Sequence, residues 1–242
     1  MVTKRRYRTL RAGAGASYSG TRRVRRIVLT GGPGSGKSTA ASFLAREFPN
    51  DLWVLPEAAT LLYKGGMPRG EGELGVQIAQ RSIFNVQRSL EQAHGVQHPD
   101  RVQVCDRGTI DGAAYWPGGD TAFFHAIGTT AAAELARYDA VIFLHTAAML
   151  PAGYERDLEV RTEDRALAIE LDRRIFDLYR DHPRLISIES QGSFLDKLSA
   201  VRNAVGQLVS ERSGAGSPVA DRTNPAPLSV LASLGSATHL LP

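Results

Sequence analysis

Cysteine is almost missing from this 242-residue chain: Cys105 stands alone. An internal disulfide framework is thereby excluded, and a reducing compartment such as the cytoplasm is expected. Cys105 falls within an apolar run, the setting of a buried core residue. Long hydrophobic runs are missing too, so no segment reads as a membrane span. No internal repeat is apparent. Acids are absent from residues 1–26, which hold nine Lys and Arg residues between Lys4 and Arg26. Removing those nine from the 29 basic residues leaves 20 against 25 acids, a net of −5 for the rest. The overall charge of +4 therefore belongs to an N-terminal arm. Such an arm can meet nucleic acid or an anionic surface, but a solvated tail is the plainer reading. It has no clear amphipathic helix, which argues against an organelle transit peptide.

Glycine, by contrast, is concentrated where it has a chemical use. Gly31, Gly32, Pro33, Gly34, Ser35, Gly36, Lys37, Ser38 and Thr39 fit the pattern G-x-x-x-x-G-K-[ST] at every fixed position. The β-branched run of residues 26–30 precedes them and reads as a buried strand. A helix with Ala40, Phe43 and Leu44 on one face follows. A small-residue turn between strand and helix aims backbone N–H groups at a phosphate, and the helix dipole favours the negative charge. Lys37 is placed to reach the terminal phosphates of a nucleoside triphosphate, and the Ser38 hydroxyl to ligate Mg²⁺. Guanine-reading N-K-x-D is absent, which favours ATP.

Strands and helices alternate along the chain. Further strands are expected at 52–55, 102–105, 140–144 and 185–188. Helices are expected at 73–94, 123–138, 161–180 and 193–208. Five short strands separated by helices predict a mainly parallel five-stranded sheet, covered on both faces as a three-layer α/β/α domain. That domain is expected to span 25–212, between a disordered basic arm (1–24) and a disordered Ser/Gly/Ala/Pro-rich tail (213–242).

Ligands of such sheets bind at the carboxyl ends of the strands. Glu57 follows the second strand, Asp106 and Arg107 the third, His145 and Thr146 the fourth. Asp106 is placed for the Mg²⁺ shell, directly or through water; a turn-forming aspartate beside Gly108 is the alternative. Glu57 is placed to activate an acceptor hydroxyl, or else is an acidic neighbour of a helix N-terminus. The Arg-rich segment 154–165 suits either a closing lid or an exposed helix start, with Arg161 ahead of Arg156 and Arg165 as the phosphoryl-contacting arginine. His94 and His98 lack a third metal ligand, and Gly95 and Pro99 are expected to break the helix between them. Trp116 is a candidate for the core or for a pocket wall.

Taken together, GGPGSGKST, PEAAT at 56–60, IFNVQRSLE at 83–91 and CDRGTIDGAAYW at 105–116 resemble the AAA_28-type P-loop proteins. That group includes ribosylnicotinamide kinase domains, and the layout is more distantly similar to deoxyribonucleoside and thymidylate kinases. The resemblance covers residues 26–190. It implies an Asp-Arg pair at Asp106-Arg107 with the arginine at the acceptor end of the phosphates, and an acceptor-activating carboxylate at Glu57. It also implies acceptor-side positions at Gln87 and Glu91, and pattern residues without a role at Asp111 and Tyr115. Nucleoside kinases carry Ser where this chain has Gly108. The implied activity is transfer of the ATP γ-phosphoryl group to an unidentified small-molecule hydroxyl. The alternative is a nucleotide-gated binding protein with weak NTPase activity.

Overall fold

The computed structural model describes residues 25–150, 164–190 and 193–214. The expected arm at 1–24, the tail beyond 214 and the arginines Arg156 and Arg161 lie outside them. The five expected strands form: β1 (Arg26–Thr30), β2 (Leu52–Leu55), β3 (Val102–Asp106), β4 (Ala140–Leu144) and β5 (Leu185–Ile188). Their order is β2-β3-β1-β4-β5, and every pairing is parallel. The register sets Val28 against Cys105 on one side and against Val141 on the other.

Side-chain alternation splits each strand between two cores. Ile27, Leu29, Ile142 and Leu144 point to one face. There they meet α1 (Lys37–Glu47) through Ala40 and Leu44, and α7 (Phe194–Gly214) through Val201 and Val205. Val28, Cys105, Val141 and Phe143 point to the other face. They meet Phe84 of α3 (Gly72–Gln97), Phe123 and Phe124 of α4 (Gly119–Ile127), and Leu171, Ile175 and Tyr179 of α6 (Arg165–Tyr179). This burial on both faces is why the strands read as continuous apolar runs. Cys105 is a core residue, as expected. No helix among the described residues is long and apolar enough to cross a membrane.

Three local expectations are corrected. The single helix expected over 123–138 is two, α4 and α5 (Ala131–Leu135), after the short α2 (Ala58–Lys64) and α3. Gly128 ends α4 in the left-handed region at φ 76°, and the Thr130 side chain caps α5 by accepting from Ala133 N. Gly95 does not break α3, which runs on to Gln97 before Pro99; one interior glycine costs only about 1 kcal/mol. Lastly, α7 continues to Gly214 rather than stopping at 208.

Candidate active site

The phosphate loop leaves β1, the central strand, between neighbours β3 and β4. Chain crossovers to β2 and to β4 diverge there, opening the crevice at which ligands of such sheets bind. Pro33, Gly34, Gly36, Lys37, Ser38 and Thr39 line a cavity of about 740 Å³. Glycine and serine at the remaining positions face protein instead. Gly31 lies against the Leu144 carbonyl, and the N–H of Gly32 donates to Asp172 Oδ1 at 2.8 Å. A Cβ on Gly32 would stand 2.6 Å from the Asp172 side chain, so this residue has to be glycine for the loop to seat.

Asp172 is fully buried on α6 and serves three donors. Its Oδ1 also accepts from Thr146 N at 2.9 Å, and its Oδ2 lies 2.8 Å from His145 Nδ1. That hydrogen bond raises the His145 pKa against a smaller opposing effect of burial. The Thr146 hydroxyl in turn donates to the Pro33 carbonyl. From α7, Lys197 Nζ donates to Ser35 O (3.0 Å), His145 O (2.6 Å) and Ser190 Oγ (2.8 Å). Burial brings this ammonium down to about 8. The loop is thus fixed from behind by groups just after β4 and on α6 and α7, leaving its front to a ligand.

Lys37 Nζ donates to Gly32 O at 2.7 Å and Ser35 Oγ at 3.0 Å. Burial pulls its pKa to about 7; Arg107 acts the same way, opposed by Asp106, Glu57 and Asp111. A phosphate would supply the counter-charge this buried ammonium needs.

Glu57 sits at the N-cap of α2, but its side chain makes no capping bond. Its Oε1 accepts from Arg107 Nε at 2.6 Å and its Oε2 from Thr60 Oγ1 at 2.6 Å. Burial alone would raise the carboxyl pKa; Arg107 and Thr60 together overcome that and lower it. Arg107 holds φ 75°, unusual outside glycine, and costs about 1 kcal/mol or more. Its Nη1 lies 3.2 Å from Asp111 Oδ2. Asp111 also accepts from Thr30 Oγ1 and Tyr179 Oη, each at 2.7 Å. Asp111, a pattern residue without a role in the sequence, is therefore the anchor of Arg107.

Tyr179 also accounts for Gly108. A Cβ on residue 108 would stand 2.0 Å from Tyr179 Oη, so the serine of nucleoside kinases has no room here.

Asp106 is buried at the end of β3. Burial, then Glu57, raises its pKa, with Lys37, Arg107 and Ser38 pulling back. Its Oδ1 has no hydrogen-bond partner among the described residues, a costly state for a buried carboxylate oxygen. Ser38 and Asp106 thus fit a hard cation shared with phosphate oxygens. No cluster of three His, Cys, Asp or Glu residues able to hold a metal by itself occurs among the described residues.

Two expected site positions, Glu91 and Arg165, fall elsewhere, while Trp116 and the His94–His98 pair take structural places. Glu91 is fully buried away from the cavity, accepting from Gln87 Nε2 (3.1 Å) and Tyr138 Oη (2.9 Å) and paired with Arg137; only Gln87 lines the cavity. Arg165 spends its guanidinium on the carbonyls of Ala148 and Leu150. Trp116 packs edge-on against Phe123 in the core. His98 stacks on Trp53 with centroids 3.8 Å apart, so the His94–His98 pair belongs to an aromatic cluster. Asp172, Tyr179 and Lys197 were not singled out from the sequence. Their signal was polarity on an apolar stripe: Asp172 and Tyr179 share the buried side of α6 with Ala168, Leu171 and Ile175.

The sequence model of the AAA domain family matches residues 26–197, and the chain belongs to that family. Among solved structures it is similar to deoxyadenosine kinase from M. mycoides, determined with the products dCMP and a flexible dCDP bound. The TM-score is 0.50 at 15% identity, covering 75% of this chain and 99% of that one. At such identity the likeness is one of fold. No curated protein matches the chain.

Proposed function

We propose that this protein is an ATP- and Mg²⁺-dependent kinase that phosphorylates a hydroxyl of a small metabolite. One observation carries the reading: the phosphate loop and the Glu57–Arg107 pair open on the same cavity, which extends well past them. Its far part is lined by Tyr63, Gln80, Ile83, Phe84, Gln87 and Tyr115. A nucleotide switch needs only the part at the phosphate loop; a cavity that continues past it suits the second substrate of a transferase.

In this reading, the loop N–H groups and Lys37 hold the triphosphate. Mg²⁺, held by Ser38 and Asp106, would neutralise charge on the phosphate oxygens. Arg107 fixes the Glu57 carboxylate, which orients the acceptor hydroxyl toward the γ-phosphate. A carboxylate of lowered pKa is a weak base, but a loose transfer state asks mainly for positioning. Arg161 is the proposed source of added positive charge at the transferring group.

The test is ADP formation by the full chain with Mg·ATP, with and without a panel of nucleosides, nucleotides and vitamin-like hydroxyl compounds. Lys37→Ala is the blank. One acceptor class raising turnover well above the blank supports the proposal. Slow turnover indifferent to the whole panel refutes it, in favour of a nucleotide-gated binding protein.

A further inference from the structure

The cavity lining has an excess of positive charge, with Lys37, Lys64, Arg69 and Arg107 against two acids. Its two acids, Glu57 and Asp111, are both engaged by Arg107, at 2.6 and 3.2 Å. Lys64, the last residue of α2, and Arg69, in the loop leading to α3, are exposed and line the same cavity. Among the described residues, neither has a carboxylate within 4 Å. Lys64 also sits where a helix C-terminus favours a cation, so Arg69 carries more of the weight.

Arg69 is held but not used. Its guanidinium carbon lies 4.7 Å from the centroid of the Tyr63 ring, which covers one face of the fork. Its N–H groups have no hydrogen-bond acceptor among the described residues. The segment between the two cations starts with a fixed turn: Gly65 N donates to Leu61 O, Gly66 N to Tyr63 O, and Met67 N to Leu62 O, at 2.9, 3.2 and 3.0 Å. A planar fork with open donor edges, stacked on an aromatic ring beside a second cation, matches a carboxylate or phosphate.

We infer that the phosphoryl acceptor is itself an anion, carrying a carboxylate or phosphate that Arg69 and Lys64 bind at the end opposite its reactive hydroxyl. Lys64 follows Glu57 by seven residues along α2, an axial rise of about 10 Å between their backbone positions. The inference rests on the kinase reading for the word acceptor, but the anion site can be tested without turnover.

The experiment uses the full chain and matched pairs of hydroxyl compounds: nucleosides against their 3′-monophosphates, and hydroxyalkyl amides against hydroxyalkyl carboxylates. Each is assayed for turnover with Mg·ATP, and for equilibrium binding with a non-hydrolysable ATP analogue. The expected result is preference for the anionic member, and an about 10- to 100-fold loss of that preference in Arg69→Ala. Arg69→Lys should keep part of it, and circular dichroism should show all variants folded. Which pair responds separates carboxylate from phosphate. If anions bind in an Arg69-dependent manner and none is phosphorylated, the anion site stands and the kinase reading fails. If neutral members are phosphorylated as well as anionic ones, the kinase reading stands and this inference fails. Binding of no anion, or an equal preference in Arg69→Ala, also overturns it.

Discussion

Replacing Asp172 by alanine should loosen the phosphate loop without touching a single residue that faces a ligand. The carboxylate accepts from Gly32 N and Thr146 N at 2.8 and 2.9 Å, and bonds His145 Nδ1 at 2.8 Å. Its loss leaves two buried donors unsatisfied, at about 1–3 kcal/mol each, so a destabilisation of about 2–6 kcal/mol is expected. Asp172→Asn keeps an oxygen for both N–H groups and should cost about 1 kcal/mol. Urea unfolding of the full chain reads the stability, and titration with ADP reads the loop. Asp172→Ala should weaken ADP binding more than Asp172→Asn does. The pH dependence has a definite sign. His145 has a raised folded pKa, so its contribution is fully present below its unfolded value of about 6.5 and is lost as pH rises through the folded value. The stability gap between the parent and Asp172→Asn should therefore narrow above neutral pH. An Asp172→Ala variant within about 0.5 kcal/mol of the parent, with unchanged ADP affinity, would refute the reasoning.

Other outcomes follow from the same geometry. The Lys37 pKa of about 7 without ligand must rise when phosphate arrives. Nucleotide affinity should then be flat below pH 7 and fall by up to about tenfold per unit above it, with proton uptake by calorimetry in two buffers; a flat profile to pH 9 contradicts this. Glu57→Gln should slow phosphoryl transfer by about 10²-fold, with ADP affinity changed far less, in single-turnover assays. Gly108→Ser should destabilise the fold through contact with Tyr179 Oη, and Tyr179→Phe should relieve part of that cost in a double-mutant cycle of unfolding energies.

Much of the fold was legible because its signals are local. The strands are short apolar runs, the central ones buried on both faces, and four of the five have the bounds read from the sequence; β3 gains only Asp106. The phosphate loop was legible because one short segment contains the whole pattern. What was not legible depends on residues far apart in the chain. Asp172 is 140 positions from Gly32, and Lys197 is 162 from Ser35. Each reads locally as one polar residue in an amphipathic helix. Glu91 looked like a site residue by position on α3, yet its face of the helix turns toward Arg137 and Tyr138. The role of Asp111 depended on Tyr179, which only the packing of α6 on the sheet brings near.

The central claim is that the γ-phosphoryl group passes to a hydroxyl in the compartment beyond Glu57 and Arg107. Its most direct test is the stoichiometry of phosphorylated acceptor, by mass, against ADP formed under Mg·ATP, with Lys37→Ala beside it. One phosphorylated acceptor per ADP, lost in the variant, is the predicted result. ADP accompanied only by inorganic phosphate, whatever acceptor is present, would contradict it.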